Sequence, residues 1–307
     1  MDVSGAAGGL TRSGEDPCLD TVNGDLEKGV LKGVSRSFYL TLRLLPAPMR
    51  GAASLGYLLA RTSDTLADTG TVPVAERLQA LDAFARAVAE GGDAPVWTAE
   101  LLAAVPDARE RLLLESTGRL LVWLGKLPAA EAHLVREVVA IIISGQALDL
   151  ERFATAGEGN VVALADDGEL DDYTWRVAGC VGAFWTKLGF LTMGDRFSGE
   201  DRDILLGKGI SYGKGLQLVN ILRDVAEDLR EGRCYLPVAD TANVQELKAC
   251  HRRWLKTARQ WTGEGESYAA TLRSRRLRAA SLLPAWIARE TLDRLDHMAW
   301  ASLQDRI

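Results

Sequence analysis

From residue 25 onward, apolar side chains return every three or four positions, the spacing that gathers them on one side of an α-helix. The pattern predicts helices over 25–45, 47–69, 74–90, 107–126, 129–153, 171–194, 200–231, 241–265 and 275–305. Pro and Gly clusters separate several of them, at LLPAP (44–48), TGTVP (69–73), EGGDAP (90–95) and LPAA (127–130). Strand-like alternation is absent, so the expected fold class is all-α, one bundle of about eight to ten helices around a central cavity. The acidic stretch GEGNVVALADDGELDD (157–172) is the longest interruption and reads as a surface loop or lid. No linker divides the chain, so 25–307 is expected to be one domain. Residues 1–24, rich in Gly, Ser, Thr and Asp, are expected to be a flexible arm.

Two helices break the ordinary amphipathic rule in the same way. In QLVNILRDVAED (217–228), Gln217, Asn220, Asp224 and Asp228 fall within about 80° of one another on helical spacing, while Leu218, Ile221, Leu222 and Val225 take other directions. In YLLARTSDTLAD (57–68), Tyr57, Arg61, Asp64 and Asp68 fall within about 60°. Each helix thus carries a polar line through apolar company and ends it in an Asp-x-x-x-Asp pair. Two carboxylates one turn apart suit a hard cation such as Mg²⁺, which takes a few carboxylates together with water and phosphate oxygens. Four of them facing across a cavity without a cation would repel strongly at low dielectric.

Taken singly, such a pair also fits a solvated face or an arginine salt bridge, for example Asp64 with Arg61. The doubling of the pattern, with Arg61 and Arg223 beside the carboxylates as phosphate-binding cations, favours a magnesium-bound diphosphate in an apolar chamber.

Composition narrows the remaining classes. Of 307 residues, 47% are hydrophobic, enough for a large core. A net charge of −6 argues against nucleic-acid binding through a broad basic surface. Cys18, Cys180, Cys234 and Cys250 lack metal or redox spacing, and Cys180 and Cys234 read as packing residues. No apolar run approaches the ~20 residues that span a bilayer. The start of the chain lacks the basic and apolar blocks of a signal peptide, so a cytoplasmic location is expected. His133, His251 and His297 lie outside every motif and receive no catalytic role.

These motifs resemble the squalene/phytoene synthase family of head-to-head isoprenoid synthases. The resemblance covers about residues 31–292. VSRSFYLTLRLLP (34–46) is similar to the family's Ser-x-Ser-Phe helix, YLLARTSDTLAD to its first aspartate motif and YTWRVAGCVG (173–182) to its Tyr-x-x-x-Val-Ala-Gly segment. QLVNILRDVAEDLREGRCYLP (217–237) is similar to the second aspartate motif and its tail, and IISGQALDLERF (142–153) to bacterial members.

The resemblance implies that Asp64, Asp68, Asp224 and Asp228, with Asn220, hold Mg²⁺ ions on two prenyl diphosphates. Arg61, Arg223, Arg233, Ser35, Ser37 and Gln217 would contact phosphates, and Tyr235 would close the phosphate pocket. Tyr173 would sit by the reacting carbons, and Phe38 and Tyr57 would line the cavity. Ser35 as a helix cap, Tyr173 as a packed tyrosine, and Phe38 and Tyr57 as core aromatics are the plainer alternatives. Gly179 and Gly182 imply close approach of the backbone to an isoprenoid chain or to a neighbouring helix.

The implied reaction joins two farnesyl diphosphates through presqualene diphosphate to squalene, with NADPH as reductant; Asp64-Thr65 is closer to squalene synthases than the Asp-Asp of phytoene synthases. Arg36, Arg61 and Arg223 match positions linked to that cofactor. The chain ends about where squalene synthases carry a basic segment, and Ala288 stands where several carotenoid-type members have tyrosine. Phytoene or dehydrosqualene synthesis without reductant, or release of presqualene diphosphate, are the alternatives. A class I terpene cyclase is disfavoured because Asn220, Asp224 and Asp228 replace the Asn, Ser/Thr and Glu steps of its second metal motif. A non-enzymatic assembly factor is disfavoured by the four intact aspartates. The expected protein is a monomer or weak dimer that touches the membrane peripherally to unload product and binds no nucleic acid.

Overall fold

The computed structural model describes residues 26–34, 38–157 and 159–304. The expectations for the arm, for Ser35, Arg36 and Ser37, and for the side chain of Phe38 lie outside the described residues. After a π-helical turn at Leu26–Leu31, the helices are α1 (Phe38–Leu44), α2 (Ala47–Ala67), α3 (Val74–Glu90), α4 (Ala99–Ala104), α5 (Ala108–Glu115), α6 (Thr117–Lys126) and α7 (Ala129–Arg152). Then come α8 (Asp167–Thr174), which runs through a π-helical segment (Trp175–Gly179) into α9 (Cys180–Met193), α10 (Arg202–Arg230), α11 (Val244–Thr271) and α12 (Arg275–His297).

Local chemistry sets the ends. Pro46, Pro73 and Pro128 precede α2, α3 and α7, where a missing N–H costs nothing. Asp201 accepts from the Asp203 and Ile204 amides at the start of α10, and Gly91 takes φ 69° to stop α3.

Several boundaries differ from the expected ones. The 107–126 helix divides at Ser116, whose hydroxyl bonds back to the Leu112 carbonyl at 2.7 Å and competes with the backbone ladder. The last helix stops at His297, and α4 replaces an expected loop. Among the described residues there is one strand pair: β1 (Val162–Ala163) runs parallel to β2 (Arg233–Cys234), too short for any alternating pattern. It ties the 157–172 stretch down. Asp166 accepts from the Glu169 amide, the Glu169 carboxylate accepts from the Ala165 amide, much as in a capping box but one residue earlier, and Leu164 is buried. That stretch is therefore an anchored connection, pinned next to the tail of the second aspartate motif.

The helices pack in the order that positions the site. α2 packs on α7, α7 on α9 and the 175–179 segment, that segment on α10, and α10 on α11 and α12. Buried side chains form two clusters, one around α2, α3, α7 and α9 and one around α10, α11 and α12. The run 167–196 holds an 18-residue window of mean hydropathy 1.2, long and apolar enough to cross a membrane by length and composition. This differs from the expectation: small residues among larger apolar ones raise the mean without an unbroken apolar stretch. Its Phe184 and Leu188 are buried in the first cluster.

Glycines let α9 and α10 touch. A Cβ on Gly182 would lie 1.9 Å from the Gly209 carbonyl oxygen, and one on Gly213 2.3 Å from that of Ala178. The close approach expected at Gly182 is thus to a neighbouring helix. Gly182→Ala is expected to destabilise by about 2 kcal/mol or more through overpacking. Gly263→Ala, on α11 in open space, is expected to stabilise by about 0.5–1 kcal/mol. Urea unfolding followed by circular dichroism checks both signs; equal effects would contradict the backbone contact.

Candidate active site

Asp64 lies in the last turn of α2 and Asp68 caps it, while Asp224 and Asp228 stand one turn apart near the end of α10. Asp64, Asp68 and Asp224 line a single cavity of about 850 Å³ together with Tyr173, Gln217, Arg233 and Tyr235. That volume is usual for a ligand site. Asp228 adjoins it, 16% exposed, with a carboxylate oxygen 3.6 Å from Arg233 Nη2. Arg233 acts electrostatically on both Asp68 and Asp228, and Asp149 of α7 is acted on by Asp68 and itself acts on Asp228. The two acidic pairs therefore meet across one chamber.

Burial sets the electrostatics. It pushes the Asp64 carboxyl up to about 6, against the pull of Arg61, and the Asp228 carboxyl up to about 7, against Arg233. Asp68 is raised by burial as well. Arg61 bonds Glu110 of α5 and lies 3.6 Å from Asp64. Arg223 forks onto its neighbour Asp224, with Nε donating to Oδ1 at 2.8 Å and Nη2 to Oδ2 at 2.6 Å. Tyr173 stacks on Tyr235 with ring centroids 4.9 Å apart, next to the π-helical segment, and burial holds its hydroxyl protonated.

Other expected residues stand around this cavity without lining it. Asn220 is exposed, and its Nδ2 donates to Gln217 Oε1 at 3.4 Å. The Tyr57 hydroxyl donates to the Val34 carbonyl at 3.2 Å, and its ring packs on the core, which favours the plainer reading for that residue.

Four polar cavity residues carried no expectation: Gln146, Asp149, Arg77 and Glu231, the last paired with Arg233. Gln146 Nε2 donates to Asp64 Oδ1. The Tyr235 hydroxyl donates to Asp149 Oδ2 at 2.8 Å, and burial pushes that carboxyl up to about 6. The sequence signals for the first two are their i, i+3 spacing on an otherwise apolar stretch of α7 and their place in IISGQALDLERF, whose resemblance to family members assigned no role to either.

Among the described residues, no group of three His, Cys, Asp or Glu side chains is close enough to hold a metal alone. The arrangement still fits Mg²⁺, which binds through one or two carboxylates and completes its shell with water and substrate phosphate. The donors are all oxygen, the Asp64, Asp68 and Asp228 carboxyls are raised by burial, and Gln146 Oε1 and Asp149 Oδ1 are buried without a partner among the described residues. An adjoining chamber of about 180 Å³, with Val181, Trp185, Tyr212, Leu216 and Pro284 in its walls, shares Val177 with the polar cavity.

Comparison with known proteins agrees with this arrangement. The family model for squalene/phytoene synthase matches residues 31–306, and the chain belongs to that family. It is 32% identical over 215 residues to the presqualene diphosphate synthase of Zymomonas mobilis, covering 69% of this chain and 60% of the relative. A squalene synthase of Candida albicans is 27% identical over 209 residues, covering 68% of this chain and 44% of the relative. The matched part thus spans less than two thirds of these relatives. In structure, a ligand complex of TcSQS superposes with a TM-score of 0.71 at 24% identity, covering 91% of this chain and 82% of that one. Squalene synthase HpnC from Alicyclobacillus acidocaldarius gives 0.64 at 16% identity, covering 95% and 98%. These likenesses establish the all-α isoprenoid-synthase fold.

The raised carboxyls make stability depend on pH. Each is still protonated in the folded state where the unfolded chain has released its proton, so stability falls as pH rises from about 4 toward the raised values. The metal-free protein is expected to lose melting temperature between about pH 4 and about pH 7, and Asp228→Asn to lose less. Thermal melts in EDTA check this; a melting temperature that climbs through the interval would contradict the burial of these groups.

Proposed function

We propose that this protein joins two farnesyl diphosphates head to head, forming presqualene diphosphate in a magnesium-dependent reaction. The observation that carries the reading is the convergence of the α2 and α10 carboxylate pairs on one polar cavity that abuts an apolar chamber. Asp64 and Asp68 would hold Mg²⁺ on one side and Asp224 and Asp228 on the other, while Asn220, exposed outside the cavity lining, would reach it only through Gln217. When bound, Mg²⁺ supplies neutralisation of the departing diphosphate and so favours ionisation of the allylic C–O bond.

The chain's own residues supply the rest. Gln146 fixes the Asp64 carboxylate, Arg233 and Gln217 line the cavity where phosphate oxygens would lie, and Arg61 and Arg223 hold the Asp64 and Asp224 carboxylates. Apolar walls at Val177, Val181 and Leu216 exclude water that would quench a carbocation. The second substrate's double bond attacks that cation, and proton loss closes the cyclopropane. Released diphosphate takes that proton, and Tyr173, kept neutral by burial, would relay it by giving its own phenolic proton to a diphosphate oxygen as it accepts the new one.

Reduction onward to squalene would need NADPH, and the described residues give that group no built site. Arg61 is engaged by Glu110 and Asp64, and Arg223 by Asp224, so neither presents an unpaired cation to a nucleotide phosphate. Release of presqualene diphosphate is further favoured by the 32% identity to a relative of that name.

Product analysis by mass spectrometry tests the reading, with farnesyl or geranylgeranyl diphosphate, Mg²⁺, and NADPH present or absent. Presqualene diphosphate from farnesyl diphosphate is expected in both conditions. A C30 hydrocarbon formed only with NADPH would establish the full squalene sequence, a C30 or C40 polyene formed without it would favour dehydrosqualene or phytoene synthesis, and survival of both substrates would remove the enzyme reading. Asp224→Asn is expected to lower turnover by at least about 100-fold, the scale of losing a charge-stabilising group at a reacting centre. Its fold should persist, because the Arg223–Asp224 pair is 40% and 38% exposed and such pairs add little stability. Turnover and far-UV circular dichroism of the variant check both halves.

A further inference from the structure

Arg77 enters the cavity from α3, outside both aspartate motifs, and lines it beside Asp68 and Arg233. Its guanidinium makes one hydrogen bond among the described residues, from Nη1 to the Ala67 carbonyl at 2.7 Å, at the C-terminal end of α2. Its Nε is buried without a partner. Asp68 is near enough to act on it, yet the two form no ion pair within reach among the described residues, and Arg233 acts on it repulsively.

Two features make this placement costly for a purely structural residue. Arg77 lies in the first turn of α3, where the helix dipole disfavours a cation, and burial works against its charge. Closing one carbonyl at the end of α2 needs a single N–H and no charge. An anion between Arg77 and Arg233 would relieve their repulsion and give the half-buried guanidinium its missing partner.

We propose that Arg77 is a further diphosphate-binding residue, which with Arg233 takes phosphate oxygens of a prenyl diphosphate on the Asp68 side of the cavity. The assignment rests on the reading of this cavity as a prenyl diphosphate site. The Ala67 carbonyl holds the side chain in place, so the cation is positioned before the anion arrives and little side-chain entropy is lost on binding.

The test uses the full chain, inorganic pyrophosphate and Mg²⁺ in isothermal titration calorimetry, with steady-state kinetics on farnesyl diphosphate alongside. Arg77→Gln keeps an N–H donor for Ala67 and removes the charge. Its pyrophosphate affinity is expected to fall by about tenfold or more, the usual scale for one charge-assisted hydrogen bond, and its KM for farnesyl diphosphate to rise with a smaller change in kcat. Affinity within about twofold of the wild type would overturn the assignment whatever happens to the melting temperature, since a structural clasp moves only the latter. Should Arg77→Gln lose its cooperative melt, Arg77→Lys decides: a loss of about threefold or more supports the guanidinium contact, and wild-type affinity overturns it. A wild type that turns over farnesyl diphosphate while the variants keep full affinity sinks the Arg77 assignment alone. A wild type that neither binds pyrophosphate nor consumes a prenyl diphosphate sinks the functional reading and the assignment with it.

Discussion

Like charge gathered at low dielectric is the constraint on which this structure turns. Asp64, Asp149 and Asp228 are partly buried around one chamber and Asp68 stands at its exposed side, and loss of surrounding water raises every one of them. Such an assembly is costly in isolation. Its cost is offset by apolar packing around it: Leu58, Leu59 and Leu66 are fully buried beside the first pair, and Leu218, Leu222 and Val225 beside the second. Paired arginines, Arg61, Arg223 and Arg233, temper the repulsion at the edges. The chamber is thus an acidic hollow edged by arginines, the arrangement on which the proposed cation and diphosphate binding rests.

Architecture places the apolar half of the site where this polar half needs it. The two motif helices are joined through α7 and the π-helical segment at 175–179. Val177, on that segment, forms a wall common to the carboxylate cavity and the apolar chamber, so a diphosphate head and its hydrocarbon tail have adjoining environments. The glycine contacts between α9 and α10 keep those two walls at fixed separation. Tyr173, stacked on Tyr235 and through it held by Asp149, stands at the junction.

Much of this was legible in the sequence because helical spacing converts directly into direction. The polar lines through 57–68 and 217–228 announced two carboxylate pairs on apolar helices, and Pro and Gly marked most helix ends. Gln146 and Asp149 were not legible as site residues, since two polar positions on one turn of an apolar helix look the same whether they face water or a cavity. Arg77 gave less still: an arginine early in an amphipathic helix reads as surface, and only the arrival of α2's end beside it reveals otherwise. Tyr57 shows the reverse, a motif residue whose hydroxyl is spent on the Val34 carbonyl. The β1–β2 pair escaped because two residues per strand leave no period to detect. What the spacing of residues cannot carry is which helices meet, and that decided each of these cases.

The central claim is that both acidic pairs act on one metal-bound diphosphate assembly. A crystal structure with Mn²⁺ in place of Mg²⁺ and a non-ionisable farnesyl thiodiphosphate addresses it most directly through anomalous scattering. The account predicts manganese peaks between the diphosphate and both carboxylate pairs, Asp64 with Asp68 and Asp224 with Asp228, and a prenyl tail running past Val177. Metal bound at only one pair, or a diphosphate seated outside the chamber, would contradict it.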